Sequence, residues 1–196
     1  MKYLVTSIVA VLLLCGGPVQ AGQNQKKPQL ESPATRDTRR ATLLLADEVR
    51  HELVTLPYYD VFDWLEGEVR PNGTVVLRGQ VTRPATKSDA ESRVKKIESV
   101  AKVVNQIEVL PLSQFDDQVR RQVYRAIFKF DSPLHMYALR AVPPIHIIVK
   151  GGRVTLKGIV MNDMDRQLAE TFARGVPHVF EVKNELAVEK RQTSVR

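Results

Sequence analysis

Sulfur chemistry is nearly absent from this chain. Of its 196 residues only Cys15 is a cysteine. That excludes an internal disulfide framework, so core burial must hold the fold. Reactive constellations are missing as well. There is no Gly-x-Ser-x-Gly, no phosphate-binding glycine loop, no dinucleotide fingerprint and no His-Glu-x-x-His. The four histidines, His51, His135, His146 and His178, do not stand at metal-ligand spacing from one another. Asn162-Asp163-Met164-Asp165 is acidic but lacks the longer ligand series of a calcium loop, and helix capping explains it more simply. No nucleophile stands beside a base. These absences argue against an enzyme, a resident metal and a cofactor.

The one apolar run near the start, Ile8 to Leu14, is too short to cross a bilayer. With Lys2 before it and Val19-Gln20-Ala21 after it, residues 1–21 read as a cleavable secretory signal. A lipoprotein signal with Cys15 as the lipidated residue is the competing reading. Leu14 argues against it, because a small residue normally stands there. Export of a chain without disulfides suits a bacterial periplasm. Residues 22–40 are rich in Gln, Lys, Pro, Ser and Thr and read as a disordered linker. Residues 191–196 form a basic tail.

The formal net charge is +7, and loss of Lys2 with the signal leaves +6. A basic exported protein meets few nucleic acids, so its anionic partners would be phospholipid head groups or cell-wall polymers. Ordinary solubilising charge is the plainer alternative.

What the chain does have is a repeat. At an offset of 79 residues, Gly73-Thr74-Val75-Val76-Leu77-Arg78-Gly79-Gln80-Val81 lies over Gly152-Arg153-Val154-Thr155-Leu156-Lys157-Gly158-Ile159-Val160. At the same offset Val103, Asn105, Ile107 and Val109 lie over Val182, Asn184, Leu186 and Val188. Two modules follow, 41–112 and 113–190.

In the first, Leu45, Val49, Leu53 and Leu56 mark one face of a helix stopped by Pro57. Strands are expected over Asp60–Val69 and Thr74–Val81, joined by a turn at Pro71-Asn72-Gly73. A second helix opens near Pro84 with Ala90, Val94, Ile97 and Ala101 on one stripe, and Val103–Val109 is a third strand.

In the second, Phe115, Val119, Val123, Ile127 and Phe130 mark the first helix. Strands follow at Ile145–Val149 and Val154–Val160, around Gly151-Gly152. Asn162 or Asp163 caps the second helix, with Met164, Leu168, Phe172 and Val176 toward the core, and Val179–Val188 is the last strand. A strand–helix–strand crossover joins parallel strands. The expected fold class is therefore α+β: two tandem αββαβ modules, each a three-stranded mixed sheet packed against two helices. The other sheet face would be exposed or covered by the partner module. Gly79 and Gly158, mid-strand, suggest a bulge or close packing of a helix over the strand.

This unit, with its doubled Gly-x-Val-x-Leu-x-Gly-x-Val core and the downstream Val-x-Asn-x-Leu/Ile-x-Val, resembles the BON domain family. The structural motif positions are Gly73, Gly79 and Asn105, then Gly152, Gly158 and Asn184. The resemblance covers about 41–190. It implies a non-enzymatic bacterial envelope protein, linked to osmotic stress and envelope integrity, that binds phospholipid or a protein partner.

The repeat is imperfect at one place. Asp47-x-Val49-Arg50 matches Asp117-x-Val119-Arg120 at an offset of 70, so nine extra residues lie between the first helix and first strand of the second copy. That stretch is aromatic, basic and proline-punctuated. Arg120, Arg121, Tyr124, Arg125, Phe128, Lys129 and Tyr137 are the candidate contacts to an anionic membrane surface, rings entering the head-group layer and cations pairing with phosphates. A core helix with a solvated basic face is the competing reading. The alternative function is a protein-interaction module in an envelope complex.

Overall fold

Two glycines set the geometry of both sheets. Gly79 and Gly158 stand mid-strand at φ +128° and +124°, a region that side chains rarely enter. A Cβ there would lie 1.8 Å from the Trp64 carbonyl oxygen and 2.0 Å from that of Pro144. The sequence suggests close packing of a helix; what approaches is instead the backbone of the neighbouring antiparallel strand.

The computed structural model describes residues 33–140 and 142–189. The expected signal segment 1–21, Cys15, residues 22–32 of the linker and the tail 191–196 lie outside the described residues. Both modules belong to one compact unit. Module 1 comprises α1 (Pro33–Val54), β1 (Trp64–Val69), β2 (Thr74–Val81), α2 (Pro84–Val94), β3 (Lys102–Asn105) and β4 (Glu108–Val109). Module 2 comprises α3 (Gln114–Phe128), a one-turn α4 (His135–Ala138), β5 (Ile145–Lys150), β6 (Arg153–Val160), α5 (Asp163–Arg174) and β7 (Glu181–Val188). In each sheet the middle strand, β2 or β6, pairs antiparallel with its predecessor and parallel with its successor. The α+β fold of two tandem mixed-sheet modules is as the repeat predicts.

Five local expectations need correction. Ala101, Phe115 and Phe130, placed on the apolar faces of helices, are exposed, and Ala101 and Phe130 lie beyond the ends of α2 and α3. Residues 33–40, assigned to the linker, extend α1 N-terminally and are solvent-exposed from Ala34 to Arg40. Residues 60–63, assigned to the first strand, form a turn in which Asp60 Oδ1 accepts from the Phe62 N–H at 2.7 Å. The third strand of module 1 is interrupted after Asn105. In α5 the core face is Ala169 and Ala173, both fully buried, with Leu168 and Phe172 only partly buried against them. Met164, expected inside, is exposed. Small alanines let the helix lie close on the sheet, which rotates the buried stripe by one position.

The repeated asparagines have the same job in both modules. Asn184 Nδ2 donates to the Arg166 carbonyl at 2.9 Å and to Glu170 Oε2 at 3.1 Å, and its Oδ1 accepts from Leu186 N–H at 3.2 Å. Asn105 repeats this with Lys87, Glu91 and Ile107. Each asparagine ties its strand to the second helix and satisfies the backbone N–H two residues further on.

The modules share a junction. Val61, from the connection between α1 and β1, is buried in the core of module 2, and Phe62 packs on it edge-to-face with Tyr124 at 6.2 Å between centroids. The Val61 carbonyl accepts from Ile147 N–H at 2.8 Å, so this connection runs along the free edge of β5. Trp64 and Gln80 end the helix-free face of the first sheet; His146 and Lys157 lie on the helix-free face of the second. These faces meet. The His146 ring is 5.4 Å from that of Tyr59 and 5.1 Å from that of Trp64. Lys157 Nζ lies 5.6 Å from the centre of the Trp64 ring and pairs with Glu185 at 3.1 Å and Glu66 at 3.5 Å. Of the two fates expected for the second sheet's face, it is the partner module that covers this part.

Burial dominates the electrostatics here. His146 is 3% exposed and its Nδ1 has no hydrogen-bond partner. Desolvation holds its pKa below the ordinary value of 6.5, although the carbonyls of Asp63 and Asp60 and the Asp60 carboxylate pull the other way. Asp63, fully buried, accepts from Thr82 N–H at 2.6 Å, and burial raises its pKa.

Two outcomes are expected. Asn184→Ala and Asn105→Ala each lower stability by about 2 kcal/mol in urea unfolding, because each orphans the buried backbone N–H of the residue two places on. The second concerns pH. The folded pKa of His146 is depressed, so its neutral form contributes stability above pH 6.5 that is lost as pH falls from there toward the folded value. Between pH 6.5 and 5 the wild type loses stability more steeply than His146→Phe, by up to about 1.4 kcal/mol per pH unit. Parallel curves from thermal melts across this range would contradict the assignment. Asp63 titrates alike in both proteins and drops out of the difference.

Candidate functional site

Helix α3 begins at Ser113, whose side chain accepts from Asp116 N–H. Residues 116, 119, 120, 123 and 127 share one face by helical spacing, and all five are buried. Arg120 therefore points inward. It is 4% exposed, donates to the Val149 carbonyl at 2.8 Å and pairs with Asp117. Asp116, beside it, accepts from the N–H groups of Gly151 and Gly152 at 2.9 and 2.8 Å. Together they fasten the start of α3 to the β5–β6 turn.

The candidate membrane contacts thus separate. Arg120 is a structural cation with no access to a membrane, which corrects the sequence-based expectation. Phe128 and Tyr137 are buried in the core of module 2, and Tyr124 is half-buried, 5.0 Å from Phe128 and against Phe62. Arg121, Arg125 and Lys129 remain exposed. At spacings of four residues they follow one line along α3 toward the insertion.

The insertion folds back on itself through Ser132, which accepts from Leu134 N–H and donates to the Ile127 carbonyl at 2.8 Å. Tyr137 then locks α4 to module 2. Its hydroxyl donates to Asp165 Oδ2 at 2.6 Å and accepts from Met161 N–H at 2.9 Å. Burial first, and the bond to Asp165 second, raise its pKa. Asn162 caps α5 by accepting from Asp165 N–H at 2.8 Å. Pinning α4 to residues 161–165 leaves large apolar side chains outside. Phe130 is 91% exposed, Leu139 75%, Met164 63%, Met136 53% and Met161 40%. The cations Lys129 and Arg140 flank Phe130, Met136 and Leu139 in the chain. Apolar side chains in such numbers on one end of a small protein mark a contact surface, and methionine adapts to soft or irregular partners.

Sequence reasoning found the insertion and the basic line on α3, and missed Leu139, Met136, Met161 and Met164. The chain places Met161 and Met164 some 25 residues beyond Met136, and the Tyr137 hydrogen bonds bring these segments together. Among the described residues no group of acidic, histidine and cysteine side chains could hold a metal ion. None of the described helices is long and apolar enough to cross a membrane.

No curated protein matches the chain. Among solved structures, the C-terminal domain of CdsD, a structural protein of the type III secretion system of Chlamydia trachomatis, is 12% identical over 74% of this chain and 96% of its own, with a TM-score of 0.30. A second CdsD structure is 15% identical over 74% of this chain and 92% of its own, with a TM-score of 0.28. The BON domain model matches twice, over residues 45–111 and 116–190. The chain belongs to the BON domain family, a generally non-enzymatic family of envelope-associated proteins that bind membranes and phospholipid.

Proposed function

We propose that this is a non-enzymatic periplasmic protein that binds anionic phospholipid surfaces and supports envelope integrity under osmotic stress. The observation that carries the proposal is the exposed ridge of Phe130, Met136, Leu139, Met161 and Met164 beside the cations Arg121, Arg125, Lys129 and Arg140. An apolar ridge entering the head-group layer gains burial, while neighbouring guanidinium and ammonium groups gain about 1 kcal/mol each near an anionic surface. Burial of Tyr137 and Phe128 gives the ridge a rigid base, so few degrees of freedom are lost on contact.

A second reading, docking of an envelope protein, is favoured by a different feature. Phe115 and Phe180 are exposed and stacked at 6.2 Å, with the His178 ring 5.9 Å from Phe115, at the end of α3 remote from the ridge. Such docking would respond weakly to salt, whereas the lipid reading is salt-sensitive.

Co-sedimentation of the full chain with anionic and neutral vesicles decides between them. Selective pelleting with anionic vesicles, weakened by salt, is expected. Arg121→Ala with Arg125→Ala weakens it about tenfold or more, and Met136→Ser with Leu139→Ser and Met164→Ser weakens it without changing its salt slope. Arg120→Ala instead costs about 2 kcal/mol of stability by stranding the Val149 carbonyl, and leaves the vesicle affinity of the folded protein unchanged. Equal binding to neutral vesicles, or indifference to the ridge substitutions, would overturn the proposal.

A further inference from the structure

The junction of the modules leaves a cleft of about 570 Å³, within the range of roughly 300–1,000 Å³ found for small-molecule sites. One wall is α1 and β1, with Val54 and Leu65; the other is the end of the insertion and β6, with Val142, Pro143 and Ile159. Tyr59, Trp64 and His146 line it as well. A cleft with such walls prefers an apolar chain to water.

Its charges are unevenly used. Glu66 is engaged by the Trp64 indole N–H and by Lys157 at 3.5 Å. Asp47 lines the same cleft. Arg50, from α1, and Arg140, from the insertion, also line it; both are exposed and neither makes an ion pair with a described residue. The internal repeat supplies the comparison. Arg50 matches Arg120 at the offset of 70, and Val49 and Val119 before them are equally buried. Yet Arg120 is spent on the Val149 carbonyl and Asp117, while Arg50 holds no such bond. The module that donates its arginine to the cleft is the one that frees it from structural duty, and the opposite cation comes from the insertion that only module 2 has.

We propose that this inter-module cleft binds one molecule of a single-chain anionic amphiphile, its chain along Val54, Leu65, Val142 and Ile159 and its head group between Arg50 and Arg140. The site takes its apolar lining from the junction and shares only Arg140 with the cations beside the ridge, so it extends the lipid reading from a surface to a single bound molecule.

Trp64 is the chain's only tryptophan and lines the cleft, so intrinsic fluorescence reports occupancy. The full chain is titrated with monomeric dodecanoate, dodecyl phosphate and dodecyltrimethylammonium, and with 12-bromododecanoate as a contact quencher. Saturable change with both anions, quenching by the bromo chain and no saturable response to the cation are expected. Arg50→Gln and Arg140→Gln each weaken anion binding about tenfold. Ile159→Trp blocks the cleft and abolishes binding; since it adds a second fluorophore, binding there is read by calorimetry, with circular dichroism to confirm the fold. Ile159 is 54% exposed, so the larger side chain needs no core space. Saturation by the cation as well, no saturation by either anion, or full binding to both arginine variants would overturn the proposal. Ridge substitutions at Met136 and Met164 leave dodecanoate binding intact, and Ile159→Trp leaves vesicle pelleting intact, so the cleft and the ridge fail separately.

Discussion

The rest of the structure depends on the docking of residues 59–64 of the first module against the second. Small mixed sheets with two helices on one side bury little apolar surface alone. Here the connection before β1 completes the neighbour's core with Val61 and Phe62, adds a hydrogen bond along the edge of β5, and covers His146 with Tyr59 and Trp64. An edge strand that would otherwise template association is thereby occupied. The cost is a desolvated imidazole with an unpartnered Nδ1 and a desolvated Asp63 carboxyl, both tolerated because the apolar and aromatic contacts around them outweigh the burial of polar atoms.

Duplication followed by divergence explains where function concentrates. The strand motif and the asparagine tie are kept in both copies, since each serves the local geometry of its own sheet. What differs is at the first helix and just after it. Arg120 fastens a hairpin, while its counterpart Arg50 faces a cleft. The stretch between α3 and β5, nine residues longer than its counterpart and held by Ser132 and Tyr137, supplies Phe130, Met136 and Leu139 to the ridge and Arg140 and Val142 to the cleft. One added segment thus builds both candidate contact regions, without any change in sheet topology.

The repeat made the sheets legible because glycine at positive φ, alternating apolar residues and a recurring asparagine are local signals. The candidate site was less so. Aromatic residues beside arginines resemble an interface in sequence, but helical phase places Arg120 with Val119, Val123 and Ile127, and that signal was available. Phe128 and Tyr137 could not be assigned inward without knowing that the insertion folds back on α5. The junction was not legible at all: Asp60 to Asp63 reads as part of the first strand, and nothing local says that Val61 belongs to another module's core. The shift in α5 from Met164 to Ala169 and Ala173 has the same origin, since how close a helix lies is a tertiary property.

Cooperativity tests the docking most directly. Urea unfolding is followed by Trp64 fluorescence, which reads the junction, and by far-ultraviolet circular dichroism, which reads both sheets. If the junction holds the modules as one unit, the two transitions coincide with a single midpoint and slope. A fluorescence transition well before the loss of secondary structure would show that the modules part while still folded, and the account of the junction, with the cleft built on it, would be wrong.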